Sequence, residues 1–200
     1  GGSLLGADAR IGDAPATAWI AATATALAGH AEATLLPRTT AFGYYDGNLV
    51  ALCERVVDSL ALHSTATPRE RLWKVRAKAV VLAAGAHERG IAFANNDLPG
   101  TLLAGAARRY VERYAVRPGT RAVVFTNNDS AYGAALALAR AGVEVASIID
   151  ARPDSAIHGE LPRQAREAGM PIVAGAAIGR AHGRLHVQAV DVVERADDLV

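Results

Sequence analysis

The stretch Ala79–Gly100 constrains the fold of this chain more than any other. Val80-Val81-Leu82-Ala83-Ala84 is a run of small and β-branched apolar residues without alternation, and it breaks at Gly85 into a polar turn. A run that is apolar on both faces reads as a buried parallel strand. A glycine at the end of such a strand lets a ligand approach the main chain, because no Cβ intervenes. An ordinary glycine turn has the same residues, so Val80–Gly85 alone leaves both uses open.

The pattern around this stretch divides in two. Pro15-Ala16-Thr17 starts a helix over about Ala16–Ala28, with Trp19, Ile20, Thr23, Ala26 and Leu27 near one face and Gly29 as its stop. Ala33–Leu36 reads as a short strand. Phe42–Val50 reads as a hairpin turning at Asp46-Gly47-Asn48, since Asp-Gly between apolar strands takes positive φ cheaply. A further strand is expected before the polar turn Thr67-Pro68-Arg69-Glu70-Arg71, then Leu72–Arg76 running back, then the Ala79–Ala84 strand. Beyond it come a helix over Leu102–Tyr114, a strand at Arg121–Phe125, a helix of small residues over Ser130–Ala141 capped by Gly142, and a strand at Val143–Ile149. Glu160–Ala168 reads as a helix, Pro171–Ala174 as a strand, and Ala176–Val193 as a hairpin turning near His182-Gly183-Arg184.

The order helix, short strand, antiparallel hairpin thus occurs twice, from Ala16 and from Glu160. A βαβ unit precedes the second occurrence and none precedes the first. A doubly wound domain builds its centre from that opening βαβ. The expectation is an α/β protein with a partial first nucleotide-type domain over residues 1–100 and a nearly complete second one over 101–200.

Composition removes whole classes of function. The chain has 200 residues and a net charge of +1, which gives no electrostatic case for nucleic acid or an anionic membrane. No apolar run reaches the length of a membrane span, and no signal peptide opens the sequence. The single Cys53 rules out an internal disulfide, suits a reducing cytoplasm, and reads as a small buried hydrophobe. The six histidines are scattered; His182 and His186 fall in a hairpin and not on one helix face, so no metal site is expected.

No residue reads as catalytic. His87-Glu88-Arg89 sits at the mouth of the expected crevice, but it reads as a solvated turn with a local ion pair, because no nucleophile or partner accompanies it. Thr126-Asn127-Asn128-Asp129-Ser130-Ala131 stands where a second Gly-x-Gly-x-x-Gly would fall, with all three glycine positions replaced. Asp129 is expected to cap the helix that starts at Ser130 and to repel a phosphate from its N-terminus. Asp150, about where a ribose-binding acid belongs, then has no ribose to bind. Asn127 and Asn128 are open to an interface role or to simple capping.

Val80–Arg89, Asn95-Asn96-Asp97-Leu98-Pro99-Gly100 and Phe125-Thr126-Asn127-Asn128-Asp129-Ser130-Ala131-Tyr132 together carry a resemblance. The first is similar to the Ala-Thr-Gly strand of flavoproteins with two dinucleotide-binding domains, with Ala84 in place of threonine. The whole set resembles the α subunit of heterotetrameric sarcosine oxidase, from Gly1-Gly2-Ser3-Leu4-Leu5 to about Val193. The resemblance implies an FAD/NAD(P)-binding Rossmann-like fold, three-layer with an antiparallel meander. It implies an oxidoreductase subunit in an enzyme that oxidatively demethylates sarcosine to glycine, with O2 and tetrahydrofolate as further reactants. It implies NAD in the α subunit, FAD and FMN in the assembled complex, and other sarcosine oxidase subunits as partners. It places Gly1, Gly2, Ser3 and Leu4 beside the cofactor diphosphate, although the same residues also read as a disordered end. It sets Thr40 and Ala41 at the adenine edge, which plain β structure explains equally, and Ala84, Gly85 and Ala86 at the main cofactor contact. Two rivals stay open: the α subunit of another amine or amino-acid dehydrogenase, of the proline or opine type, and a non-catalytic interface module.

Overall fold

A computed structural model describes residues 2–5, 9–57 and 68–194. The contacts separate two compact units: Arg10–Gly85, and Gly1–Ala9 together with Ala86–Val200. The division falls between Gly85 and Ala86, in the middle of the expected cofactor turn, and not at residue 100.

In the first unit a two-rung pair, β1 (Arg10–Ile11) and β2 (Ala14–Pro15), leads into α1 (Ala16–Ala28). Pro15 is fit to precede a helix because its φ is already near the helical value, and it sits at −54°. The helix matches the expected span. Its apolar face is not packed, however: Ala16 is its buried residue, and Trp19 and Leu27 are exposed. The meander β3 (Thr39–Tyr45), β4 (Leu49–Arg55) and β5 (Glu70–Arg76) is antiparallel throughout. Its first turn is Asp46-Gly47-Asn48, with Gly47 at φ 68° and Asn48 at φ 54°, the left-handed pair that Asp-Gly-Asn favours. Asn48 then ties off the far end of β5, accepting from Ala77 N–H at 3.1 Å and donating to the Lys78 carbonyl at 3.1 Å.

Several expectations fail here or lie out of view. Ala33–Leu36 and Ala79–Ala84 are not strands: no ladder partner lies beside either among the described residues. Val81 and Leu82 are 88% and 85% exposed. Apolar β-branched sequence favours an extended chain, but only a neighbour's peptide groups turn that chain into a strand. The extra strand before Thr67 falls largely outside the described residues, and Glu70 and Arg71, read as turn, open β5. Cys53 is half-buried in β4 and not a core residue.

The second unit opens with a single 3-10 turn, Gly2–Leu5, and resumes at Ala86. Helix α2 (Ala104–Tyr114) leads to a parallel sheet of β6 (Arg121–Thr126), β7 (Glu144–Asp150) and β8 (Ile172–Ala174), in that spatial order. The crossovers are α3 (Ser130–Arg140) and α4 (Glu160–Glu167). The unit ends on an antiparallel ribbon, β9 (Ala176–Gly183) and β10 (Val187–Glu194).

Strand alternation assigns the two faces of this sheet. Val124 and Ile148 face the helices and join Ala131, Tyr132, Ala135 and Leu136 of α3 in the main core. Phe125 and Ile149, paired across the ladder, face the ribbon and meet Ile178 and Val190. Phe93 closes that side edge-on to Phe125, ring centroids 6.4 Å apart. Helix α3 explains its own composition. Eight consecutive residues, Ala131–Leu138, are buried, so α3 is enclosed on all sides, and its five small residues let neighbours close in around Tyr132, Leu136 and Leu138. The loop Asn95–Gly100 is anchored along the ribbon: Asn95, at φ 61°, donates from Nδ2 to the Ala181 carbonyl at 3.0 Å, and Val187 N–H reaches the Pro99 carbonyl at 2.9 Å.

Candidate functional site

Ligands of parallel α/β sheets bind beyond the carboxyl ends of the strands. In the second unit that place is the end of β6 and β7, where Thr126 and Asp150 form the last rung. Asp150 has no exposed surface at all. Its carboxylate accepts from Tyr132 Oη at 2.8 Å, from Arg152 N–H at 2.9 Å, and from Arg152 Nε and Nη2 at 3.1 and 2.8 Å. The same Arg152 Nη2 reaches Asp129 Oδ1 at 2.8 Å. One guanidinium therefore bridges the acid at the end of β7 and the acid before α3. Gly159 leaves room for this arrangement, because a Cβ there would stand 2.9 Å from Asp129 Oδ2.

The electrostatics follow from those bonds. Burial pushes the Asp150 carboxyl up, but the hydrogen bonds from Arg152 and Tyr132 outweigh it and hold the group below the ordinary carboxylate range. The Tyr132 hydroxyl is driven well above its usual value, first by burial and then by its bond to Asp150. Arg152 is raised chiefly by its bonds to Asp150. The hydrogen bonds thus favour an ionised Asp150 against the Arg152 guanidinium.

The turn itself is also closed. Asn128 Oδ1 accepts from Ser130 N–H at 2.9 Å and from Ser130 Oγ at 2.5 Å, and Thr126 Oγ1 accepts from Asn128 N–H at 3.1 Å. The expected cap at Asp129 is a correction: its side chain makes no capping bond and pairs with Arg152 instead. The reason is backbone geometry. Asp129 is already helical, at φ −75° and ψ −18°, whereas a capping side chain works from a non-helical residue. Asp150, where a ribose-binding acid was expected, is engaged by Tyr132 and Arg152, and the first-turn Ser130 N–H is bonded to Asn128 Oδ1.

The residues expected to hold a cofactor are divided between the units. Thr40 and Ala41 lie on β3, the edge strand of the meander, paired with Cys53 and Leu52. Ala84 and Gly85 end the same unit, and no hydrogen bond joins them to Thr40 or Ala41 among the described residues. Gly85 has φ +74°, and an added Cβ would meet nothing within 4 Å. The turn thus requires glycine for its conformation and leaves open space, which fits close approach of a ligand to the backbone. Gly2, Ser3 and Leu4 form the 3-10 turn of the second unit, Ala86 begins its main stretch, and Gly1 lies outside the described residues. Among the described residues no cluster of His, Cys, Asp or Glu is able to hold a metal ion, and His182 pairs with Asp191 at 2.8 Å. No described helix is long and apolar enough to cross a membrane.

Comparison with known proteins decides the kinship. The chain is 39% identical over 205 residues to sarcosine oxidase subunit alpha of Rhizobium meliloti (strain 1021), an alignment covering 98% of this chain and 20% of that protein. It is 44% identical over 203 residues to sarcosine oxidase subunit alpha of Corynebacterium sp. (strain P-1), covering 99% and 20%. Over nearly its whole length the chain is similar to sarcosine oxidase α subunits. It spans about a fifth of the length of these relatives. The protein of the same name from Corynebacterium sp. (strain U-96) is 46% identical over 154 residues, covering 76% of this chain and 16% of that one. No protein-family profile matches. A crystal structure of T. acidophilum thioredoxin reductase superposes with a TM-score of 0.42 at 13% identity, over 56% of this chain and 36% of that one, a likeness too slight to argue from.

Two polar side chains have roles the sequence reading missed. Glu88, read as part of a solvated turn, accepts from Ala104 N–H at 2.8 Å and Gly105 N–H at 2.7 Å, and so caps α2 from sixteen residues away. A local capping pattern cannot reveal a cap at that separation; Gly105 was the available signal, since a Cβ there would press on Glu88 Oε2 at 2.7 Å. Arg152 gave a clearer one, following Asp150 by two residues in a strand-end turn.

Proposed function

We propose that this chain is the nucleotide-holding and subunit-docking part of an α subunit of heterotetrameric sarcosine oxidase. That assembly demethylates sarcosine oxidatively to glycine, with O2 as electron acceptor and tetrahydrofolate taking the one-carbon unit. The observation that carries the reading is the kinship over nearly the whole chain. On this reading NAD belongs to the partial nucleotide-type domain expected over residues 1–100, and its contacts in the Arg10–Gly85 unit are Thr40 and Ala41 at the adenine edge and Ala84 and Gly85 at the turn. FAD and FMN belong to the assembled complex, and residues 101–200 form a Rossmann-like domain without a dinucleotide. The open space over Gly85 supports the first part, and the saturated Asp150–Arg152–Asp129 cluster supports the last. No residue of this chain is assigned to amine oxidation, the segment alone is inactive, and the lone half-buried Cys53 suits a cytoplasmic protein.

Gly85→Val tests the reading in an α subunit that carries this segment, expressed with its partner subunits. Valine fills the space above the turn and strains a backbone at φ +74°. The expected result is sarcosine-dependent O2 uptake in the wild type, and NAD content in the variant reduced at least tenfold with the Asp150 unit still folded. Full NAD occupancy in the variant makes Gly85 an ordinary turn residue and sinks the assignment.

A further inference from the structure

Between Ala86 and Ala92 the chain has little to hold it. It lies outside any helix or strand, and Ala86–Gly90 are exposed. Further on it is tied to the ribbon: Ala94 N–H donates to the Gly179 carbonyl at 3.1 Å, and the Ala94 carbonyl accepts from Ala181 N–H at 2.9 Å. Within the span, Glu88 makes the only hydrogen bonds found among the described residues. Its Oε1 and Oε2 take the first two N–H groups of α2, those of Ala104 and Gly105, at 2.8 and 2.7 Å.

The residues of α2 are fitted to this grip. Leu103 stands at the N-cap position, and its side chain has no oxygen to offer, so a cap has to come from elsewhere. Gly105 follows in the first turn, although glycine weakens a helix relative to alanine. No left-handed φ calls for glycine there; the carboxylate does, because a Cβ on residue 105 would stand 2.7 Å from Glu88 Oε2. Glu88 in turn follows Gly85 by three residues, a length of chain that reaches at most about 10–11 Å. Fixing Glu88 on α2 therefore leashes the Gly85 turn. Upstream of that turn, Ala79–Ala84 has no ladder partner among the described residues, so the near anchor is the downstream one.

We infer that Glu88 is a positioning residue for nucleotide binding at Gly85: its grip on α2 restricts the turn in advance, so NAD has less chain freedom to remove when it binds. This rests on the proposed function and names the side chain that prepares its turn.

The test measures the NAD dissociation constant and the melting of an α subunit that carries this segment, purified with its partner subunits. The variants are Glu88→Ala, Gly105→Ala and the two together. Glu88→Ala is expected to weaken NAD at least tenfold. Gly105→Ala pushes the carboxylate off its N–H group and is expected to weaken NAD at least threefold. Its melting stays unchanged, because alanine's better helix propensity offsets the damaged cap. The double variant is expected to bind no more weakly than Glu88→Ala alone, since the new methyl group then meets no carboxylate. Losses that multiply in the double variant overturn the leash, because the two residues then act separately. A loss in Glu88→Ala that Gly105→Ala does not share also overturns it and leaves Glu88 a helix cap. NAD weakened by Gly85→Val but by neither of these variants overturns the leash alone. A wild-type α subunit that binds no NAD overturns the function reading, and the leash with it.

Discussion

Asp150 is sealed from solvent, yet it keeps its charge because Arg152 and Tyr132 supply four hydrogen bonds. Removing Arg152 leaves that charge buried without a cation. Arg152→Ala is therefore expected to destabilise the second unit by about 3–5 kcal/mol in urea titration. Tyr132→Phe removes a single bond to a charged acceptor, for a loss of about 1.5–3 kcal/mol by the same measurement. The pH dependence has a definite sign. The native carboxyl of Asp150 is depressed, so the unfolded state binds the proton more readily. Its contribution is complete above the unfolded value near about 3.9 and is lost as pH falls through the lower native value. Asp150→Asn should flatten that acid limb in melting curves taken from neutral pH downwards. An unchanged limb would mean that other carboxylates set it.

Two helices of the second unit are started by side chains from outside the helix, Asn128 at α3 and Glu88 at α2. Asn128→Ala should cost about 0.5–2 kcal/mol, the usual price of a lost cap, and Asn128→Asp should cost little. Glu88→Ala should cost a similar amount at α2, with faster amide exchange confined to its first turn. The sequence makes the helices plain and their caps ambiguous. Asn127, Asn128 and Asp129 are all competent to cap, and the backbone dihedrals decide among them. The Asp46-Gly47-Asn48 hairpin and the span Ala16–Ala28 were legible because both depend on neighbours within a few residues. For the candidate site, Thr126, Asn128 and Ala131 stand where a glycine-rich turn was expected. The Arg152 bridge that closes it joins residues 129, 150 and 152, and no short motif records such a contact.

For the molecule as a whole, the least legible elements were apolar runs that find no ladder partner among the described residues. Ala79–Ala84 has the composition of a central strand and none of the pairing. Replacing Val81 and Leu82 by serine should shift the stability of this 200-residue chain by no more than about 0.5 kcal/mol, since both are already exposed. In an intact α subunit the same pair should cost about 3–6 kcal/mol if they are buried there, at about 1.5–3 kcal/mol for each side chain. Equal effects in the two proteins would show that the segment stays bare. The same bareness makes the segment a timekeeper. Amide hydrogens that lack an acceptor trade with deuterium at the rate of free peptide, whereas those in a ladder wait for the structure to open. If a sheet forms around the seven residues Ala79–Gly85 in an intact α subunit, pulse labelling during its synthesis would show them go dark to deuterium at that moment and so date the step.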